Sequence, residues 1–201
     1  MRRASFFAIL LCGIPSQLLA QRYSDHEVPR YELGLQFELG RIDGVSDAGG
    51  LGARFHYNFN EHLALDSELS YGPNNVSTGS HASQTTFLVG VRAGQRVASS
   101  GFFLHARGGF THYDAANGAL LISRNTFPAF DVGGTLEGYF GARPWERNMV
   151  FRLELGALIV PYGNATLLPP PPPAILIPPG PSGPLGTRVG PVLGLGIGTR
   201  F

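Results

Sequence analysis

Hydrophobic and polar residues alternate one for one in eight stretches between Tyr31 and Phe201. Strict alternation marks a β-strand whose two faces meet different surroundings. In the first stretch Tyr31, Leu33, Leu35, Phe37 and Leu39 share one face, and Glu32, Gly34, Gln36 and Glu38 the other. The second opposes Leu51, Ala53, Phe55, Tyr57 and Phe59 to Gly52, Arg54, His56 and Asn58; the third sets Leu63, Leu65, Leu69 and Tyr71 against Asp66, Glu68 and Ser70. The same reading puts Arg92, Arg107, Glu137, Arg152 and Glu154 on the polar faces of the next four stretches. In the last, Val189, Leu193, Leu195, Ile197 and Phe201 oppose Gly190, Gly194, Gly196, Gly198 and Arg200.

Runs of roughly 9 to 13 residues suit tilted strands that cross a bilayer. The gaps give an independent signal. Residues 40–50, 72–83, 113–128 and 161–188 are long gaps, and 60–62, 95–101 and 141–148 are short ones. Long outer loops alternating with tight periplasmic turns are the habit of outer-membrane barrels. The expected fold is therefore all-β, an eight-stranded antiparallel up-and-down transmembrane β-barrel over residues 31–201, with both ends of the barrel periplasmic. A soluble barrel would hide its apolar face inside. Here the polar face carries Arg, Glu, Asp, Gln and His beside Gly, which suits a narrow filled lumen, and the Leu, Val, Phe and Ala face suits lipid tails. Tyr31, Tyr57, Phe59, Phe102, Phe140, Trp145 and Phe201 fall near the periplasmic strand ends, and Tyr71, Phe110, Tyr113, Phe127 and Phe130 near the outer ends, as two aromatic belts would.

Composition adds limits. With 28 Gly and 14% charged residues in 201, neither a coiled coil nor a highly charged disordered chain fits. A formal net charge of +1 gives no basic stripe for nucleic acid, and one Cys allows neither a disulfide framework nor a multi-cysteine zinc site. Arg2 and Arg3, the apolar run Phe6 to Ile14 and Leu18-Leu19-Ala20 form a secretory signal peptide over residues 1–20, followed by a periplasmic tail at 21–30.

Signal peptide, eight alternating runs and the final Gly194-Leu195-Gly196-Ile197-Gly198-Thr199-Arg200-Phe201 together resemble the small OmpA-like outer-membrane β-barrel proteins. The resemblance implies outer-membrane lipid as surroundings and the barrel-assembly machinery as a partner during insertion. Phe201, with Ile197 and Leu195, would carry the assembly signal. Larger relatives add a peptidoglycan-binding domain, a role not expected of residues 31–201.

Candidate site residues follow from turn arithmetic. If residues 60–62 form a three-residue turn, Phe59 opposes Leu63 and Arg54 lies across from Glu68, both inward. Placing Phe140 opposite Met149 likewise sets Glu137 across from Arg152. Arg92 and Arg107 lie inward between them and should join one lumen network with Glu68, Glu137 and Glu154, with Asp66 on the same face. At the seam, Glu32 and Arg200 both face inward and are expected to pair, because an open edge in lipid would leave backbone groups unsatisfied.

Pro161 to Pro184 holds ten prolines, including Pro169–Pro173, and frames the apolar Ala174-Ile175-Leu176-Ile177. A stiff outer loop is expected, open to a surface partner. His81-Ala82-Ser83 has the His-x-Ser spacing of lipid A deacylases, but the strand after it holds no carboxylate to orient the base. The remaining histidines lack metal-ligand spacing, so no cofactor and no metal are expected. The leading reading is a non-enzymatic barrel with a structural or surface-interaction role. Its alternatives are a small channel or carrier of apolar solutes, and a lipid A deacylase-like enzyme.

Overall fold

A computed structural model of the chain describes residues 28–42, 46–73, 82–115, 123–141, 148–166 and 184–201. Eight strands run in chain order: β1 (Tyr31–Ile42), β2 (Ser46–Asn58), β3 (Leu63–Gly72), β4 (Ala82–Arg96), β5 (Ser100–Ala115), β6 (Thr126–Phe140), β7 (Met149–Thr166) and β8 (Pro184–Arg200). Each pairs antiparallel with its neighbours, and β1 pairs with β8, so the sheet closes into a barrel. Closure removes the edges that an open sheet would leave.

The alternation sorts the side chains as the sequence suggests. Leu35 is 69% exposed and Leu51 71%, while Arg92 on the opposite face is 1% exposed. This protein is apolar outside and charged inside, the inverse of a soluble fold, because its outer surface is made for lipid.

The first outer gap is not long: β1 runs to Ile42 and β2 starts at Ser46, so most of 40–50 is paired strand. The last outer gap is also narrower than 161–188, since β7 continues to Thr166 and β8 starts at Pro184. Strand pairing tolerates Pro161 and Pro184 because each sits where its missing N–H interrupts little of the β7–β8 ladder. Gly163 and Gly186, at φ +59° and +65°, face one another at the β-bulge that bends this hairpin. The pentaproline, the apolar Ala174–Ile177 segment, Trp145, His81 and residues 1–27 lie outside the described residues.

Strand lengths are unequal. β3 has 10 residues, β7 has 18 and β8 has 17, so the β5–β8 side of the wall stands taller at the loop end. Tyr113 and Phe127 do not join the outer aromatic belt. Both point inward and are buried in an apolar cluster with Leu88, Leu158, Val160, Tyr162 and Leu185. Their odd numbers match those of inward Arg107, Thr111 and Asp131 on the same strands, and the two-residue period outweighs the tendency of aromatics to sit at an interface.

Candidate functional site: the charged lumen

The lumen is where the sequence spends its charge. Six arginines (Arg54, Arg92, Arg96, Arg107, Arg152, Arg200) and six carboxylates (Glu32, Asp66, Glu68, Asp131, Glu137, Glu154) are buried inside the barrel. Isolated, each would carry a large desolvation cost; paired and hydrogen-bonded, they form a filling.

Two hairpins set the first pairs. The ladder places Arg54 opposite Glu68 and Glu137 opposite Arg152. Closure then adds partners from distant strands, in two layers. In the middle layer Arg54 binds Glu68 and Glu154 through its two terminal nitrogens. Arg107 donates to Glu68 and Glu154, at 2.5 Å each, and to Asp131 at 2.6 Å. Asp66 lies 3.7 Å from both Arg54 and Arg107. Nearer the tight-turn end, Arg152 binds Glu137 at 2.9 Å and reaches across the barrel to Glu32. Arg92 also joins Glu137 and Glu32, and Arg96 donates to Glu32 at 3.0 Å. The expectation of one network thus resolves into two layers. His56 joins them, with Nδ1 3.1 Å from Glu32 and Nε2 3.1 Å from Asp66.

The seam sets Glu32 and Arg200 side by side and adds further partners to each. Glu32 and Arg200 are direct cross-strand neighbours and both are buried. The Glu32 carboxylate also meets Arg92, Arg96, Arg152, His56 and Asn58, and the Arg200 guanidinium lies 3.9 Å over the Tyr139 ring. Three arginines concentrate more positive charge on Glu32 than one neighbour could, and the ring supplies Arg200 with a cation–π contact.

Several members escaped sequence reasoning. Arg96 falls in a stretch read as a turn; it is the last residue of β4 and binds the Tyr139 hydroxyl at 2.9 Å. Asp131, His105 and Asn58 carried the right parity and were signalled by it. Phe103 lies beneath Arg92 and Arg96, 4.6 and 5.0 Å from its ring centre. Small residues make room: a Cβ at Gly34 would stand 3.0 Å from Arg152 Nη1, and one at Gly198 3.2 Å from it.

Glu32, His56 and Glu137 form one group with metal-ligand donors in reach of one another, and His105, Asp131 and Glu154 a second. In both, arginine guanidinium groups already occupy the carboxylates, and their positive charge opposes a cation there. Above the middle layer lies a cavity of about 50 Å³, with Glu68, Arg107 and Asp131 in its floor and Leu88, Leu158 and Pro191 in its walls. On the lipid side at the loop end, Ser83 is opposite Asp114, whose carboxylate is 3.1 Å from His112 Nε2, and His112 Nδ1 is 2.7 Å from Thr126 Oγ1. A carboxylate does therefore stand beside Ser83, supplied by β5 instead of its own strand.

A closed eight-stranded barrel with a lipid-facing exterior and a salt-bridged lumen defines a transmembrane β-barrel protein. The chain belongs to the outer membrane protein β-barrel domain family, whose model matches residues 6–157. That family consists of barrels of the bacterial outer membrane. Among solved structures, the chain is similar to Neisserial surface protein A, at 14% identity and TM-score 0.49, over 85% of this chain and 96% of that one. It is also similar to OprG from Pseudomonas aeruginosa, at 12% identity and TM-score 0.47, over 88% and 97%. A third is Ail, the attachment invasion locus protein of Yersinia pestis, at 15% identity and TM-score 0.46, over 88% and 100%. No curated protein matches the sequence.

Proposed function

We propose that this protein is a non-enzymatic outer-membrane barrel, exported by a signal peptide at residues 1–20 and oriented with both ends periplasmic. Its work lies at the outer surface, in stabilising the envelope or in meeting a surface partner through its loops, the proline-rich one among them. The observation that carries this reading is the filled lumen. Six arginines and six carboxylates are buried inside the barrel, and Arg107 and Arg152 each bridge two or more carboxylates across it. Opening a pore would strand several of these charges at once. Planar-bilayer recordings of the purified barrel should show no large, steady open state; such a state would overturn the reading in favour of a channel.

One observation favours a second reading. His112 sits between Thr126 and Asp114, with Ser83 across from Asp114, on the outward surface at the loop end. Nucleophile, imidazole and carboxylate in that order are the parts of a hydrolase acting on membrane lipid. Mass spectra of lipid A from cells with and without the protein should be identical; loss of an acyl chain would establish the hydrolase.

A further inference from the structure

The barrel wall has a gap in its backbone ladder. β6 and β7 pair from Phe140↔Met149 up to Phe130↔Ile159 and no further, although both strands continue and are described beyond that point. Continuing the same register would set Pro128 opposite Pro161.

Hydrogen-bond phase shows why the ladder stops. Tyr139 N donates to Ser99 O and Tyr113 N to Asn125 O, so odd-numbered residues of β6 direct their backbone groups to β5. Even-numbered ones, Pro128 included, face β7. On β7, Arg200 N donates to Asn148 O, so even-numbered residues face β8 and Pro161 faces β6. Pro128 and Pro161 would thus form one narrow, doubly bonded pair, and neither has an N–H to give. The next pair would need Gly163, whose φ of +59° takes it out of the strand conformation. Contact resumes only at the rim, where Ser123 N donates to Thr166 O at 3.1 Å.

On the other side of the hairpin the same device recurs. β1 and β8 pair up to Gly40↔Val192, and the next β8 residue is Pro191. Tyr31 and Phe201 exchange both backbone bonds, so odd-numbered residues of β8 face β1, and Pro191 removes the donor at the following bonded position. Among the described residues above these prolines, β7 and β8 hold to each other, β8 has no β1 partner, and the β7 backbone meets the β6 side again only at Ser123.

Below that rim bond, side chains close the β6–β7 gap. Phe127 and Tyr162 meet across it edge to face, with ring centres 4.7 Å apart, and the Tyr162 hydroxyl bonds that of Tyr113 at 2.6 Å. Behind them Leu88 and Leu158 belong both to this apolar cluster and to the wall of the lumen cavity. In front, exposed Phe130 is continuous with the lipid-facing band. An aromatic contact contributes about 0.5–1.5 kcal/mol, so a few such contacts part more readily than a paired ladder.

We infer that the β6–β7 gap is a lateral binding site for an acyl chain of an outer-leaflet lipid, which parts Phe127 from Tyr162 and lies against Tyr113, Leu88 and Leu158. The chain reaches the cavity but not the periplasm, because the arginine–carboxylate layer forms its floor. The site therefore binds and does not conduct, and it stands whether or not the surface role proposed above is correct.

Fluorescence quenching tests this. The single Trp, Trp145, is replaced by Phe, and Phe127→Trp places a reporter on the inner side of the gap. The full-length barrel is reconstituted in phospholipid bilayers with and without bromine on the acyl chains. Residue 127 points into the lumen, so quenching by brominated chains is the expected result. Adding Pro128→Thr and Pro161→Val restores both donors, and the quenching should then be lost, with the heat-modifiable gel shift confirming that the barrel is intact. If the double change prevents folding, Pro161→Val alone restores one donor and should reduce the quenching. Tyr162→Trp in the same Trp145→Phe background should repeat the pattern. No quenching at 127, or quenching that is equal with the ladder restored, would overturn the inference, the second because it would report only nearness through the wall.

Discussion

Glu137 shows how much rests on single side chains in this lumen. It accepts from Arg92, from Arg152 at 2.9 Å and from the Tyr139 hydroxyl at 2.6 Å, all buried. Glu137→Gln leaves two buried guanidinium groups short of negative charge and should destabilise the barrel by about 3–5 kcal/mol. Glu61, exposed in the β2–β3 turn beside His62, is the control: Glu61→Gln should change stability by about 0–1 kcal/mol. Thermal unfolding of the two variants in detergent checks this, and equal effects would mean that water reaches the lumen charges. Gly34→Ala is the steric counterpart. Its Cβ would stand 3.0 Å from both Arg152 Nη1 and the Ile197 carbonyl, so either the guanidinium or the seam must shift. A cost of about 1–3 kcal/mol is expected in the same unfolding measurement.

At the scale of strands, alternation and short turns were legible and strand ends were not. Parity gave the facing of every strand, and the 60–62 turn gave the Arg54–Glu68 register, because both are local properties of an extended chain. Residues 40–50 and 161–166 were read as loop because glycine, proline and isolated charges interrupt the apolar pattern there. The ladder nevertheless continues through them, since a neighbour strand can satisfy the backbone whatever the side chains are. The β7–β8 hairpin gives a prediction at this scale. Val189 and Thr187 lie beyond the last β1 partner of β8, whereas Leu193 and Leu195 lie within the seam. Amide hydrogen exchange followed by NMR should therefore be much faster at Val189 and Thr187 than at Leu193 and Leu195. Equal protection would mean that the seam extends past Pro191.

For the whole molecule, closure is the event that matters. Tyr31 and Phe201 exchange backbone bonds at 3.0 and 2.9 Å, and their rings stack with centres 5.9 Å apart, so the last residue helps to seal the ring. Deleting Phe201 should slow assembly into the outer membrane more than it lowers the melting point of barrel already formed. Pulse-chase appearance of the heat-modifiable band, set beside thermal unfolding of the purified variant, separates the two effects. A large loss of melting point with normal assembly kinetics would show Phe201 to be a staple only.

By itself the sequence determined which residues face lipid and which face the lumen, apart from Tyr113 and Phe127, that there are eight strands, and which charges meet across the two hairpins read from their turns. Those are consequences of a two-residue period and of short loops, which act within one strand or one hairpin. Only the tertiary structure decided that Arg54 also meets Glu154, that Arg152 reaches Glu32, and that Glu32 gathers Arg92, Arg96 and Arg152 beside its seam neighbour Arg200. It also decided that Tyr113, Phe127 and Tyr162 share one cluster, and that Pro128 and Pro161 fall at the same rung. These partners stand up to 120 positions apart in the chain. Curvature and closure of the sheet bring them together, and neither is written in any one stretch of residues.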